Sequence, residues 1–126
     1  MKRILTTLAL GASLALTIAA PAQAKGVDVR ANGTCSRAST SKIRLRPDNG
    51  RIETEFEVDQ NRVGQHWNVS IADNGVVVAR TAATTVAPSG SFTVRRLLAN
   101  RAGTDHVVAR ASNPVTGESC VARASL

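Results

Sequence analysis

The amino-acid sequence predicts an all-β protein: a single immunoglobulin-like or fibronectin-III-like antiparallel β-sandwich of about seven or eight strands. Three observations support this prediction. Apolar and polar residues alternate with a period of two through most of the chain after residue 25, as they do in half-buried strands. Turn-forming Asn, Asp, Gly and Pro residues separate these runs at fairly regular intervals. No stretch after residue 25 has a convincing helical period.

The N-terminal segment has the pattern of a secretory signal peptide. Lys2 and Arg3 precede an apolar run over residues 4–20, and an Ala-Gln-Ala sequence ends at Ala24. A positive start, an apolar middle and an Ala-x-Ala end are the three parts of such a signal. The run contains Thr and Gly and no basic cluster follows it, which disfavours a retained transmembrane helix. We therefore expect residues 1–24 to be removed on export.

The remaining residues, 25–126, suit one domain with a thin hydrophobic core. Its two cysteines, Cys35 and Cys120, lie near opposite ends of this segment, and an oxidising compartment favours a disulfide between them. Two free thiols or a redox or metal pair are the alternatives. However, redox pairs usually have Cys-x-x-Cys spacing, and two cysteines without suitably spaced histidines make a poor zinc site. We expect a structural disulfide.

The strands and turns follow in chain order. Residues 27–35 form the first strand, and a hairpin turns at Pro47-Asp48-Asn49-Gly50. Later strands begin near Trp67, Val76, Phe92, Val107 and Cys120. The predicted connections between them cover residues 59–65, 73–75, 82–90, 100–104 and 113–118. In the last two strands the alternating small residues, such as Ala109 and Ala122, are predicted to face the core.

The first hairpin has an unusual charge pattern. One parity of residues 52–59 is mostly apolar and the other is acidic, consisting of Glu53, Glu55, Glu57 and Asp59. A two-residue turn at Asn49-Gly50 would oppose basic to acidic residues in the pairs Arg46–Glu53, Arg44–Glu55 and Lys42–Glu57. A four-residue loop would shift the register by two and still oppose the two charges. We therefore interpret the acidic stripe as part of an ion-paired outer face.

Trp67 favours the sandwich over a barrel. It shares its parity with Val69 and Ile71, on the strand that corresponds to strand C of an immunoglobulin-like domain, where a buried Trp commonly anchors the core. The cysteines depart from antibody domains because they would join the first and last strands rather than strands B and F. The chain also has no Tyr, so it lacks a tyrosine corner. These departures indicate an immunoglobulin-like architecture rather than an antibody-type domain.

Several segments together resemble a family of small secreted actinobacterial proteins. They are a cysteine near the first strand, "RPDNGRIETEFEVDQNRVGQ", then Trp67, "APSGSFTVRR" and "TGESC". The resemblance covers about residues 29–123. It implies an immunoglobulin-like β-sandwich and implies no particular activity or catalytic residue.

Two acidic groups are candidates for a chemical site. Carboxylates of the stripe lie ~6.5–7 Å apart along a strand, too far for adjacent pairs to chelate one small ion tightly. A glycosidase pair would also need a cleft and sugar-stacking aromatics. The second group is Asp48-Asn49, Asp73-Asn74 and residues 100–105, ending in Asp105, whose loops are predicted to meet at one end of the sandwich. They are candidates for Ca²⁺, although Asp and Asn are also ordinary residues of tight turns.

No enzyme signature is found in the sequence. His66 and His106 have outward parity, and no Gly-x-Ser-x-Gly or phosphate-binding motif occurs. We therefore predict no catalytic residue, no cofactor and no metal, and interpret the two histidines as solvated side chains.

The formal charge of the chain is +7 and the basic excess consists of arginine. Arginine suits anionic partners, but a preference for arginine codons would produce the same composition. The aromatic residues Phe56, Trp67 and Phe92 have core parity, which disfavours nucleic-acid binding by base stacking. The same scarcity of exposed aromatic rings also weakens a carbohydrate-binding interpretation.

The function that we expect is a secreted, monomeric and non-catalytic binding module with an extracellular or cell-envelope partner and no membrane span after residue 24. The surface expected to bind is the loop end formed by residues 59–65, 82–90 and 113–119, which holds the recognition loops of antibody domains. The alternatives are a small-ligand carrier, which a deep apolar cleft would favour, and a secreted protease inhibitor, which an exposed, cleavable loop such as residues 82–90 would favour.

Overall fold

The computed structural model of the protein describes residues 11–16 and 27–126. Residues 11–16 have no regular secondary structure, and residues 27–126 contain nine β-strands and no helix. The rest of the predicted signal peptide, residues 1–10 and 17–24, lies outside the described residues. Among the residues that are described, none belongs to a helix long and apolar enough to cross a membrane.

The strands form two antiparallel sheets that pack face to face as a β-sandwich, which confirms the predicted fold class. The four-stranded sheet has the order β1-β3-β4-β7, and the five-stranded sheet has the order β2-β9-β8-β5-β6. Their bounds are β1 (Val29–Asn32), β2 (Thr34–Cys35), β3 (Thr40–Asp48), β4 (Arg51–Asp59), β5 (His66–Asp73), β6 (Val76–Thr84), β7 (Ser91–Ala99), β8 (His106–Ser112) and β9 (Ser119–Ser125).

The strand pairing is that of an immunoglobulin-like domain. Consecutive strands form three hairpins, β3–β4, β5–β6 and β8–β9, while β4 also pairs with β7 and β5 with β8. If β3 is taken as strand A, then β4, β7 and β5 correspond to strands B, E and C. Trp67 therefore lies on strand C, as the sequence predicts.

The predicted first strand, residues 27–35, is divided in two, which brings the number of strands to nine. β1 joins the four-stranded sheet and β2 joins the five-stranded sheet, with Gly33 between them. A Cβ atom at Gly33 would collide with the Ser41 side chain and the Val121 carbonyl oxygen. A glycine at this position therefore lets the backbone cross closely from one sheet to the other.

The hydrophobic core lies between the two sheets and consists of the inward parity of the strands. Trp67 and Phe56 are 1% and 0% exposed. The Phe92 ring centroid lies 6.1 Å from that of Trp67 and 6.4 Å from that of Phe56. Smaller side chains, including Ala109, Ala111, Ala122 and Ala124, fill the other side of the core. All three aromatic residues of the described domain are thus buried between the sheets.

Cys35 and Cys120 form a disulfide, as predicted. The two residues are directly opposite each other on the neighbouring strands β2 and β9, with their Cα atoms 4.0 Å apart. The bridge thus fastens a two-residue edge strand to the last strand of the same sheet, and it does not link the two sheets as the bridge of antibody domains does.

Candidate functional sites

The outer face of the four-stranded sheet is covered by ion pairs; we call it the paired face. The observed register of β3 and β4 is the one predicted for a two-residue turn at Asn49-Gly50. The ion pairs are Lys42–Glu57 at 3.4 Å, Arg44–Glu55 at 3.4 Å, Arg46–Glu53, Arg95–Glu55 at 3.0 Å and Arg44–Asp28 at 3.0 Å. Neighbouring basic side chains therefore neutralise the acidic stripe, which supports a structural role for it.

The residues that form the paired face differ from the sequence prediction at Asp28, Arg95 and Asp59. Arg95 of β7 and Asp28, which precedes β1, join the paired face although the sequence pattern of the hairpin did not include them. Asp59 is opposite Thr40 and Ser91 rather than a basic residue. Its Oδ1 atom accepts a hydrogen bond of 2.9 Å from the Asn61 N–H, so Asp59 shapes the start of the β4–β5 loop.

The predicted binding loops at one end of the sandwich are tied to one another. The Gly64 N–H donates to the Thr85 carbonyl at 2.8 Å, and the Thr85 N–H donates to the Gln65 carbonyl at 2.9 Å. Residues 82–84 belong to β6 rather than to a loop, and the rest is a turn in which the Gly90 N–H donates to the Val86 carbonyl at 2.9 Å. This turn is closed and does not form an extended segment.

The β8–β9 loop is also fixed from within. Asn113 is 1% exposed, and its Oδ1 atom accepts hydrogen bonds from the N–H groups of Val115 at 2.9 Å and Thr116 at 3.1 Å. The buried Glu118 carboxylate accepts a 3.0 Å hydrogen bond from the Ser39 N–H. These polar groups hold the loop in place, and their hydrogen-bonding capacity is largely used within the protein.

Two of the three acidic loops meet. Asp73 and Asp105 are 1% and 0% exposed. Burial, followed by the neighbouring Asp105 carboxylate, raises the pKa of Asp73. Arg101 lies beside the pair, with its Nε atom 3.9 Å from the Asp73 carboxylate and its backbone N–H 3.3 Å from the Asp105 carboxylate.

Within the described part of the chain, no third carboxylate joins Asp73 and Asp105, although the calcium hypothesis included Asp48. Asp48 is the last residue of β3 and is paired with Arg51 of β4, and residues 11–16 and 27–126 contain no group of three or more His, Cys, Asp or Glu side chains that could hold a metal ion. The His106 N–H donates to the Asn74 side chain at 2.9 Å, so the Asp73 and Asp105 region fastens the β7–β8 loop to the β5–β6 turn.

The two histidines are exposed and lie far apart along the outer face of the five-stranded sheet. The His66 and His106 Nδ1 atoms each lie 2.8 Å from a hydroxyl, that of Thr84 and that of Ser125 respectively. Neither hydrogen bond includes an acidic group, so the arrangement differs from a Ser-His-Asp triad.

The same outer face contains a cluster of arginines; we call it the basic face. Arg80 of β6 and Arg110 of β8 are both paired in register with Ser70 of β5. Two strand spacings put their Cα atoms about 10 Å apart. Arg123 of β9 lies two residues beyond Val121, the partner of Arg110, at a diagonal separation of about 7–8 Å from Arg110.

The basic face has no acidic counterpart. The nine Asp and Glu residues of the chain all fall within the described domain. Three are buried, namely Asp73, Asp105 and Glu118, and the others belong to the four-stranded sheet or its flanking residues. Among the described residues, no carboxylate lies within 4.0 Å of Arg80, Arg110 or Arg123. The three guanidinium groups therefore remain available to an external anion.

A shallow depression of about 640 Å³ crosses this face. Its lining includes Arg80, Arg110, Asn68, Ser70, Ser112 and Ser119. Sequence reasoning missed this cluster because its members belong to three strands whose pairing is long-range. The sequence did contain a signal for this cluster. The three arginines have outward parity, and no acidic residue occupies an outward position of these strands.

Comparison of the chain with protein-family models, with curated proteins and with solved structures gave no match.

Proposed function

We propose that this protein is an exported, non-catalytic binding module that binds an anionic ligand on its basic face. The observation that carries the proposal is the contrast between the two outer faces. Basic side chains on the paired face have acidic partners, whereas Arg80, Arg110 and Arg123 have none among the described residues. The signal-peptide pattern and the Cys35–Cys120 disulfide support export.

Arginine chemistry explains why an anion would bind there. A guanidinium group presents several N–H donors in a plane and can pair with sulfate, phosphate or carboxylate through two hydrogen bonds. Neighbouring guanidinium groups also repel one another when no counterion is close. An anionic ligand would remove this repulsion, and it would stabilise the folded state because it binds the folded chain preferentially.

The geometry favours this surface over the alternatives. A small-ligand carrier would need a deep apolar cleft, but the interior is filled by Trp67, Phe56 and their neighbours. A protease inhibitor would need an extended exposed loop, whereas the turn between β6 and β7 is closed by internal hydrogen bonds. The loop end predicted from the sequence likewise uses much of its hydrogen-bonding capacity internally.

Two of the four edge strands, β6 and β7, have features that support a monomeric state. Val78 has no partner in the register of β5 and β6 and forms a β-bulge in the edge strand β6. Arg96 of the edge strand β7 is exposed although it is opposite the buried Thr54, so a charge occupies an inward position. Bulges and inward charges on edge strands disfavour pairing with a second chain.

Retention on a column of immobilised dextran sulfate tests the proposal. A variant with Arg80→Gln, Arg110→Gln and Arg123→Gln should elute at clearly lower salt than the wild type. The control variant changes Arg30, Arg51 and Arg62 to Gln; these are exposed arginines away from the basic face, so the loss of net charge is equal. Unchanged retention of the first variant, or an equal loss in both, would contradict binding at the basic face.

A further inference from the structure

The basic face also has a pattern of hydroxyl and amide groups beside its charges. One row across the sheet consists of Arg80, Ser70, Arg110 and Val121, and the adjacent row consists of Ala82, Asn68, Ser112 and Ser119. The rows lie about 7 Å apart, because each strand advances by two residues between them. An extended polymer lying across the strands would thus contact cationic donors on one side and neutral donors and acceptors on the other.

We infer that the ligand of the basic face is an acidic polysaccharide, a class that this chemistry matches; the inference depends on the proposed function. Sulfate or carboxylate groups of such a polymer would pair with Arg80 and Arg110. Its hydroxyl groups would exchange hydrogen bonds with Asn68 and Ser112, which are exposed. A polyanion without uncharged donors or acceptors would depend mainly on the arginines.

Two other classes of polyanion fit the face less well. Single-stranded nucleic acids bind proteins by stacking bases on exposed aromatic rings, and Phe56, Trp67 and Phe92 are all buried. Anionic membranes are bound by surfaces that also insert large apolar side chains such as Trp, Phe or Leu. The apolar side chains at the outward positions of this sheet are alanines and valines, such as Ala82 and Val121.

Charge-neutral substitutions separate polysaccharide recognition from electrostatic attraction. A variant with Asn68→Ala and Ser112→Ala keeps all three arginines, and it should bind dextran sulfate roughly five- to tenfold more weakly, as expected for the loss of one or two hydrogen bonds. Its affinity for poly(vinyl sulfonate), an anionic polymer with neither hydroxyl nor amide groups, should change less than about twofold, because that polymer has no uncharged donor or acceptor. The matched control, Thr93→Ala with Asn100→Ala, changes exposed positions outside the basic face and should leave both affinities unchanged.

The dissociation constants are measured by isothermal titration at fixed salt with dextran sulfate, poly(vinyl sulfonate), a single-stranded oligodeoxynucleotide and vesicles containing phosphatidylserine. Circular dichroism confirms that each variant is folded. We expect dextran sulfate to bind most tightly. Two results would overturn the polysaccharide inference and leave the anionic-ligand proposal intact. One is binding of the oligonucleotide or the vesicles that is as tight as that of dextran sulfate or tighter. The other is an unchanged dextran sulfate affinity in the Asn68 and Ser112 variant. Failure of all four probes to bind would overturn the proposed function itself.

Discussion

Replacing Cys35 and Cys120 by alanine should lower the free energy of unfolding by about 2–4 kcal/mol. The bridge joins residues 85 apart in the sequence, and the loop-closure entropy of a chain segment of this length corresponds to ~4.6 kcal/mol as an upper value. Alanine is preferred to serine because Cys120 is 1% exposed, and a hydroxyl buried there would add a desolvation cost of its own.

The structure explains why the loss should be smaller than the upper value. β2 has two residues and pairs with β9, supported by a 2.8 Å hydrogen bond from the Ser36 N–H to the Ser119 carbonyl. Without the bridge, this short strand can detach from the sheet while the rest of the domain stays folded. The native state then gains conformational freedom, which offsets part of the entropy gained by the denatured chain.

Urea denaturation followed by the fluorescence of Trp67 gives the change in unfolding free energy by linear extrapolation. Hydrogen exchange should show that the Thr34 and Ser36 amides lose protection in the variant before those of β3. Intact-mass measurement of the wild type should show a two-proton increase on reduction. A stability loss under about 1 kcal/mol would refute the view that the bridge restrains the denatured chain, and free thiols in the unreduced protein would refute the bridge.

Four further substitutions test the core and the charged groups. Trp67→Ala should cost ~3–5 kcal/mol, and the native Trp67 emission should be blue-shifted; a red, readily quenched emission would contradict its burial. Thr54→Val should raise stability by about 1 kcal/mol in urea denaturation, because the buried Thr54 hydroxyl has no hydrogen-bond partner among the described residues; a loss would contradict this. Glu55→Gln should change stability by under ~1 kcal/mol, and less at high salt; a calcium-dependent rise in Tm that this variant abolishes would contradict a structural stripe. The raised pKa of Asp73 means that its contribution to stability is fully present below the ordinary pKa of Asp and is lost as pH rises through the raised value. Asp73→Asn should therefore flatten the pH dependence of Tm in this range, and parallel profiles for the two proteins would contradict the shift.

Local sequence patterns predicted the hairpins well. Asn49 and Gly50 both have positive φ, at 48° and 76°, as the two central residues of a tight hairpin turn require. Such a turn fixes the register, and the period-two pattern fixes which residues face the core. These two local rules were sufficient to predict the ion pairs between β3 and β4, including Arg44–Glu55.

The features that the sequence did not reveal depend on contacts between distant segments. At the division Gly33 closely approaches Ser41 and also Val121, which lies near the other end of the domain in sequence. The sequence predicts a connection over residues 82–90, which include Pro88 and Gly90, but pairing with β5 extends β6 through Thr84. The basic face likewise exists because β5 lies between β6 and β8.

The positions of the arginines argue for binding more strongly than their number does. A preference for arginine codons would also produce isolated exposed arginines such as Arg51 and Arg62, but it would not leave one whole sheet face without a carboxylate. Mutual repulsion on that face should slightly destabilise the folded domain when no anion is bound. The variant with Gln at Arg80, Arg110 and Arg123 should therefore have a Tm at low salt equal to or above that of the wild type, and dextran sulfate should raise the Tm of the wild type alone. A lower Tm in the variant would mean that these arginines stabilise the fold by packing along the sheet, and the contrast between the two faces would then no longer argue for a ligand.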